Sequence, residues 1–169
     1  MGKVYRVNDK LELLELVDFK EADEKEIPQA VSFVIVERKD GKVFLQYRPK
    51  GRVRNPLKFT SSASGHVDED EDYLEAAGRE LREELGITVE QNKLKLIGTV
   101  PKFTHRGKVY LVRTDSPLFP DPGEVDAAGS GWFSLAEVKE MVEKTPEKFT
   151  RGGLQAFQAY LKHSHVGKA

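Results

Sequence analysis

The stretch from Gly65 to Ile87, GHVDEDEDYLEAAGRELREELGI, constrains the fold more than any other part of this chain. It predicts a loop followed by a helix, because Asp68, Asp70 and Asp72 offer carboxylates for an N-cap or first turn and Gly86 suits a stop after Leu85. At about 100° per residue, Leu74, Gly78, Leu81 and Leu85 form one stripe that would pack on a sheet. Glu80, Glu83 and Glu84 then fall together on roughly the opposite side. Like charges at these spacings cost an isolated helix about 0.2 to 0.5 kcal/mol per pair, so something must offset the repulsion. Arg79, four residues from both Glu75 and Glu83, could do so with the help of solvent. A divalent cation is the other candidate.

The rest of the chain reads as mixed α and β without internal repeats. Lys3 to Arg6 and Leu11 to Val17 are expected strands around the Asn8-Asp9 turn, followed by a charged connector from Lys20 to Glu26. Val31 to Val36 is rich in β-branched residues, and Asp40-Gly41 separates it from a second candidate strand, Val43 to Tyr47. Leu94 to Val100 and Val109 to Arg113 read as further strands, while Leu135 to Lys144 and Leu154 to Lys162 have helical spacing. Three prolines between Pro117 and Gly123 require a loop.

Composition then excludes several functions. A chain of 169 residues, 38% hydrophobic, suits one domain, residues 1–169, with one core. Lys plus Arg number 27 and Asp plus Glu 28, so no overall charge draws the chain to nucleic acid or to a membrane surface. Any anion recognition must be local. The absence of cysteine removes disulfides, thiolate metal sites and a cysteine nucleophile. No stretch approaches the roughly 20 apolar residues of a membrane span, and the N-terminus has no apolar signal core. A soluble cytoplasmic protein is expected.

The spacing in the opening stretch carries a family resemblance. Five residues separate Gly65 from Glu71, seven separate Glu71 from Arg79, and Arg79-Glu80-Leu81-Arg82-Glu83-Glu84-Leu85-Gly86-Ile87 follows. Residues 65–87 resemble the Nudix box, Gly-x5-Glu-x7-Arg-Glu-U-x-Glu-Glu-x-Gly-U with U aliphatic, at every specified position. The resemblance implies an α+β fold, an α/β/α sandwich around a mixed β-sheet, with residues 1–26 added as an N-terminal β-hairpin extension. It implies a hydrolase of diphosphate linkages in a small molecule, most naturally a nucleotide. The cofactor would be Mg2+, with Mn2+ as a substitute, held by Glu80, Glu83, Glu84 and the Gly65 carbonyl. Arg79 would orient a glutamate and Glu71 would brace the loop. The general base stays open among Glu124, Glu83 and Glu84. Dimers are frequent in the superfamily, so a homodimer is an expectation of the same kind. Asp70 stands where many members have Gly, and Asp tolerates a left-handed turn.

A narrower likeness follows. Leu45-Gln46-Tyr47-Arg48 and Lys58-Phe59-Thr60-Ser61-Ser62-Ala63-Ser64-Gly65-His66 resemble the isopentenyl-diphosphate isomerase branch. Aligned on Gly65-His66, the isomerase cysteine falls on Ser64, and a hydroxyl is a far weaker acid than a thiol. The second acidic residue of that branch has no counterpart near Lys108 to Tyr110. The resemblance therefore implies an isomerase-like Nudix hydrolase without the isomerase chemistry; a nucleotide-sensing module is a further alternative. Arg48, Arg52 and Lys58 fall where that branch binds diphosphate. Phe59, Phe103 and Tyr110 are candidates to stack on a base or to fill the core, and Phe103 to Arg106 reads equally as a substrate-facing loop or a plain turn. His163 and His165 read as part of a polar tail.

Overall fold

The computed structural model describes residues 2–166, except for the side chain of Val166. Its spine is a parallel pair, β3 (Gln29–Glu37) and β8 (His105–Arg113), in register along nine residue pairs from Gln29↔His105 to Glu37↔Arg113. Strand β7 (Lys95–Val100) extends this pair antiparallel to β8. The other edge of β3 meets β1 (Lys3–Val7) at Gln29, β6 (Ala63–His66) over Val31 to Val34 and β4 (Val43–Tyr47) at Glu37. Short strands β5 (Phe59–Thr60) and β9 (Gly131–Phe133) pair with β4, while β2 (Leu13–Asp18) pairs with β1. The sheet is therefore mixed, as the sequence leads one to expect.

Alternation along β3 builds two cores. Ala30, Val34 and Val36 join a cluster with Ala77, Leu81 and Leu85 of α2 (Tyr73–Leu85). Val31, Phe33 and Ile35 face Ala156, Phe157 and Tyr160 of α4 (Arg151–Val166), together with Val138 of α3 (Leu135–Lys144). A strand covered on both faces needs apolar residues at nearly every position, and β3 supplies them. Of its buried polar residues, Ser32 donates its hydroxyl to the Tyr73 carbonyl at 2.6 Å and Gln29 shares its side-chain oxygen with His66.

Several expectations need correction. The segment after β2 is not a plain connector: α1 (Phe19–Glu24) forms there, with the Asp18 side chain accepting from the Glu21 amide. The strand expected over Val109 to Arg113 begins at His105, because β3 offers it a partner that far back. The second C-terminal helix begins at Arg151 and includes His163 and His165, which are helical rather than in a tail. Strands β5, β6 and β9 were not expected, since none has a readable period of its own.

Candidate functional site

Helix α2 starts and stops where its end residues dictate. Asp72 accepts from the Glu75 amide at 2.8 Å, and Gly86 ends the helix at φ 67° with its N–H bonded to the Arg82 carbonyl. The loop before it turns at Asp70, whose φ of 65° is the left-handed geometry expected there.

The face the helix buries differs from the leucine stripe. The buried side runs through Tyr73, Ala76, Ala77, Glu80, Leu81, Glu84 and Leu85, whereas Leu74 and Gly78 lie at its margin. The helix is rotated by roughly a quarter turn from the expected orientation, counted at 100° per residue. Alanines at 76 and 77 permit the close approach. Gly65 on β6 permits the rest, because a Cβ there would run into the Glu80 carboxylate. Glu80 and Glu84 thus lie on the packed side, and only Glu83 is exposed among the three.

Each carboxylate has defined neighbours. Glu84 Oε1 accepts from the Ser64 amide at 2.9 Å and from Gln46 Nε2 at 3.3 Å. Burial, followed by the charge of Glu80, still pushes the Glu84 carboxyl up to about 8. Burial likewise raises Glu80 to about 7, with Arg79 pulling the other way. Arg79 binds Glu71 through both oxygens at 2.9 and 2.8 Å, Glu80 at 2.6 Å, Glu83 at 3.2 Å and the His66 carbonyl at 2.9 Å. Those bonds, led by Glu71, hold the guanidinium above its ordinary value. Glu75, expected to share Arg79, is not among its partners.

Opposite this acidic wall stands a basic one. Residues Arg48 to Lys58 loop out between β4 and β5, and Arg48 donates to the carbonyls of Arg54 and Asn55 at 2.9 and 3.1 Å. Arg48 therefore shapes the loop as well as charging it. Arg52 pairs with Glu124 at 2.9 Å, and Arg54 pairs with Asp23 of α1 while lying over the Phe19 ring. The segment carrying Glu124 is stitched to the end of α2: Phe119 and Asp121 amides donate to the carbonyls of Leu85 and Glu84. Between these walls lies an open cleft of about 2010 Å³. Gly65, Arg79, Glu80, Glu83, Glu84, Glu124, Arg48, Arg52 and Lys58 all line it. That exceeds the roughly 300 to 1,000 Å³ of a common ligand pocket.

The other aromatic and histidine candidates separate clearly. Phe59 packs against Tyr47, Phe133 and Phe149, and Tyr110 is buried, so both belong to the cores. Phe103 is exposed at the cleft. His66 shares a 2.7 Å hydrogen bond with Gln29, and burial lowers it to about 3. Gln46, Phe19 and Asp23 were missed as site residues. Gln46 could have been found as a polar residue inside an apolar strand; Phe19 and Asp23 carry no local signal.

The donor set has the chemistry of a hard cation site. Glu80, Glu83, Glu84 and the Gly65 carbonyl offer only oxygen, which suits magnesium or manganese. Burial holds both carboxylates up, and neighbouring acids add to it, Glu80 acting on Glu84 and Glu83 on Glu80; a cation would relieve that repulsion. Among the described residues no three acidic or histidine side chains converge into a ready-made ion cage, so substrate oxygens would be needed to complete a shell.

The family model described as NUDIX domain matches residues 27–152. An isopentenyl-diphosphate Delta-isomerase of Ruegeria pomeroyi is 29% identical over 151 residues, covering 79% of this chain and 78% of that protein. An uncharacterised Nudix hydrolase of Yersinia pestis is 39% identical over 147 residues, covering 79% and 71% respectively. A solved Deinococcus radiodurans structure superposes with a TM-score of 0.73 at 19% identity, covering 94% of this chain and 98% of that one. A MutT Nudix hydrolase of Burkholderia pseudomallei gives a TM-score of 0.62 at 24% identity, covering 79% and 98%.

Proposed function

This chain belongs to the Nudix hydrolase family, and from that premise we propose that it is a magnesium-dependent pyrophosphohydrolase. Its substrate would be a nucleoside triphosphate, or a nucleoside diphosphate joined to a second group. The observation that carries this reading is the pair of buried carboxylates, Glu80 and Glu84, facing the arginine loop across one cleft.

Glu80, Glu83, Glu84 and the Gly65 carbonyl would hold the ion, and manganese would substitute for it. When bound, the ion neutralises phosphate charge and stabilises the charge that develops as the linkage breaks. The protein's own groups do the rest. Arg52 and Lys58 bind the diphosphate, and Arg48 keeps their loop in shape. Arg79 fixes the rotamers of Glu80 and Glu83, while Glu71 anchors Arg79 from behind. A water oxygen attacks one phosphorus as the bridging P–O bond breaks, and the bridging oxygen leaves with the other phosphate. Glu124 is the favoured acceptor of the water's proton, with Glu83 and Glu84 as competitors; a base must lie within hydrogen-bond reach of that water. Arg52 now holds Glu124, so phosphate binding at Arg52 would free it.

The isomerase alternative is favoured by the names of several relatives. It is opposed by Ser64, whose hydroxyl cannot take the thiol's role. A panel of nucleoside triphosphates, nucleoside-diphosphate sugars, dinucleotides and isopentenyl diphosphate, assayed with and without magnesium, decides. Magnesium-dependent phosphate or nucleoside monophosphate release is expected. Isomerisation of isopentenyl diphosphate, or binding without release, overturns the hydrolase reading.

A further inference from the structure

The cleft is lined by two groups of residues of different chemistry. Carboxylates and the Arg48 to Lys58 loop make one; the other is a rim formed by the turn before β8 and the start of α4. Phe103 lies on this rim, 51% exposed and with φ at +70°. A bulky residue at positive φ is an outlier that persists only where its neighbours impose it, and such outliers concentrate at ligand sites.

The neighbours that impose it are specific. Arg106 Nε donates to the Phe103 carbonyl at 2.7 Å and is itself tied to Asp9 at 3.0 Å. On the other side the Lys102 amide donates to Gln155 Oε1 at 3.2 Å, and Gln155 Nε2 returns a bond to the Lys102 carbonyl at 3.5 Å. The turn is thus clamped from both ends to present a ring that adds little to either core. The Arg151 guanidinium lies over that ring, 4.6 Å from its centroid. Thr104 and Thr150, whose hydroxyls can donate or accept, line the same cleft.

We propose that Phe103 and Arg151 form the subsite for the nucleobase of the substrate. The inference rests on the diphosphate reading above and names the residues that would hold the nucleoside part of its substrate. The Arg151 guanidinium covers one face of a half-exposed ring, so a flat π-system would stack on the ring's other face and complete a guanidinium–phenyl–base column. An alkenyl chain has no extended π-face to stack there. At about 2010 Å³ the cleft has volume for a diphosphate and a base together.

The test measures binding rather than turnover. Calorimetry with magnesium compares methylenediphosphonate, the four α,β-methylene nucleoside diphosphates and a methylene-bridged dimethylallyl diphosphonate, on the wild type, Phe103→Leu and Phe103→Trp. At least one nucleotide analogue is expected to bind more tightly than methylenediphosphonate. Phe103→Leu should weaken that analogue by roughly 5- to 150-fold, the range for loss of one base–aromatic stack. Methylenediphosphonate affinity should stay unchanged, and Phe103→Trp should retain the nucleotide advantage. Because the side chain is half exposed, Phe103→Leu should fold normally, which a thermal melt checks. Equal affinity for methylenediphosphonate and every nucleotide analogue overturns the subsite alone, as does tighter binding of the dimethylallyl compound. Failure of all the ligands to bind overturns the diphosphate reading and the subsite together.

Discussion

The acidic and basic walls of the cleft are built in opposite ways. Glu80, Glu83, Glu84 and Arg79 come from consecutive turns of one capped helix, and their geometry follows from helical spacing plus the fit of Gly65 against Glu80. Arg52 and Arg54 sit on a loop that borrows its order from distant partners, Glu124 in one case and Asp23 in the other. The two designs have different energetics. Buried groups in a low dielectric interact strongly and are expensive to leave unpaired, whereas pairs about one-third exposed are worth little individually. Changes to the acidic wall should therefore act on chemistry and stability, and changes to the basic wall mainly on substrate affinity.

The largest effect should come from Glu84→Gln. The amide keeps an oxygen for the Ser64 N–H but removes the charge, so turnover should fall by about 10² to 10³-fold, as for loss of one preorganised electrostatic group. Folding should survive, and steady-state kinetics beside a thermal melt would check both. Wild-type turnover in this variant would remove Glu84 from the site.

Next in size is Arg79→Met, which leaves Glu71 and Glu80 without their shared cation. A stability loss of about 2 to 3 kcal/mol is expected, below the range for fully buried pairs because Glu83 and Asp68 are exposed. Urea denaturation with an unchanged m-value measures it. A change under ~0.5 kcal/mol would show the acidic wall to be no more tightly bound than the basic one.

Acidity probes the same wall without mutation. In the folded chain Glu80 and Glu84 hold their protons to about 7 and about 8, against an ordinary 4.5. The folded state then binds more protons than the unfolded one, so stability falls as pH rises through those values. His66 and His105, lowered to about 3 and about 4 by burial, act in the opposite direction, and only below about 6.5. Between pH 6.5 and 8.5 the metal-free protein should lose on the order of 2 to 3 kcal/mol, and saturating magnesium should flatten the slope. A flat profile in chelator would contradict the burial of these carboxylates.

The smallest effect is expected from Asp23→Asn on the basic side. Loosening Arg54 should raise KM by about two- to fivefold with kcat unchanged, the scale of an exposed pair. A fall in kcat instead would mean that the loop positions the chemistry as well as the substrate.

The legibility of the molecule follows the same division. The end of helix α2 could be set from Gly86 and the glutamate set from its spacing, because capping and helical periodicity act over a few residues, whereas the structure alone chose Asp72 as the N-cap among Asp68, Asp70 and Asp72. Strand β3 could be recognised from its β-branched run, although its length was set by β8. The N-terminal helix escaped because FKEADE has no apolar stripe to read, and β9 because three residues carry no period.

What the sequence alone determined was which residues carry charge at which local spacing, and hence the family and the acidic wall. Tertiary structure decided which way that wall faces: two alanines and a glycine let α2 turn Glu80 and Glu84 inward while Glu83 stays exposed. It also brought Arg52 to Glu124 and Arg54 to Asp23, and set Phe103 on the same cleft as all of them. The reason is physical: local backbone preferences are written in neighbouring residues, whereas close packing between distant segments depends on shapes that form only once the sheet has assembled.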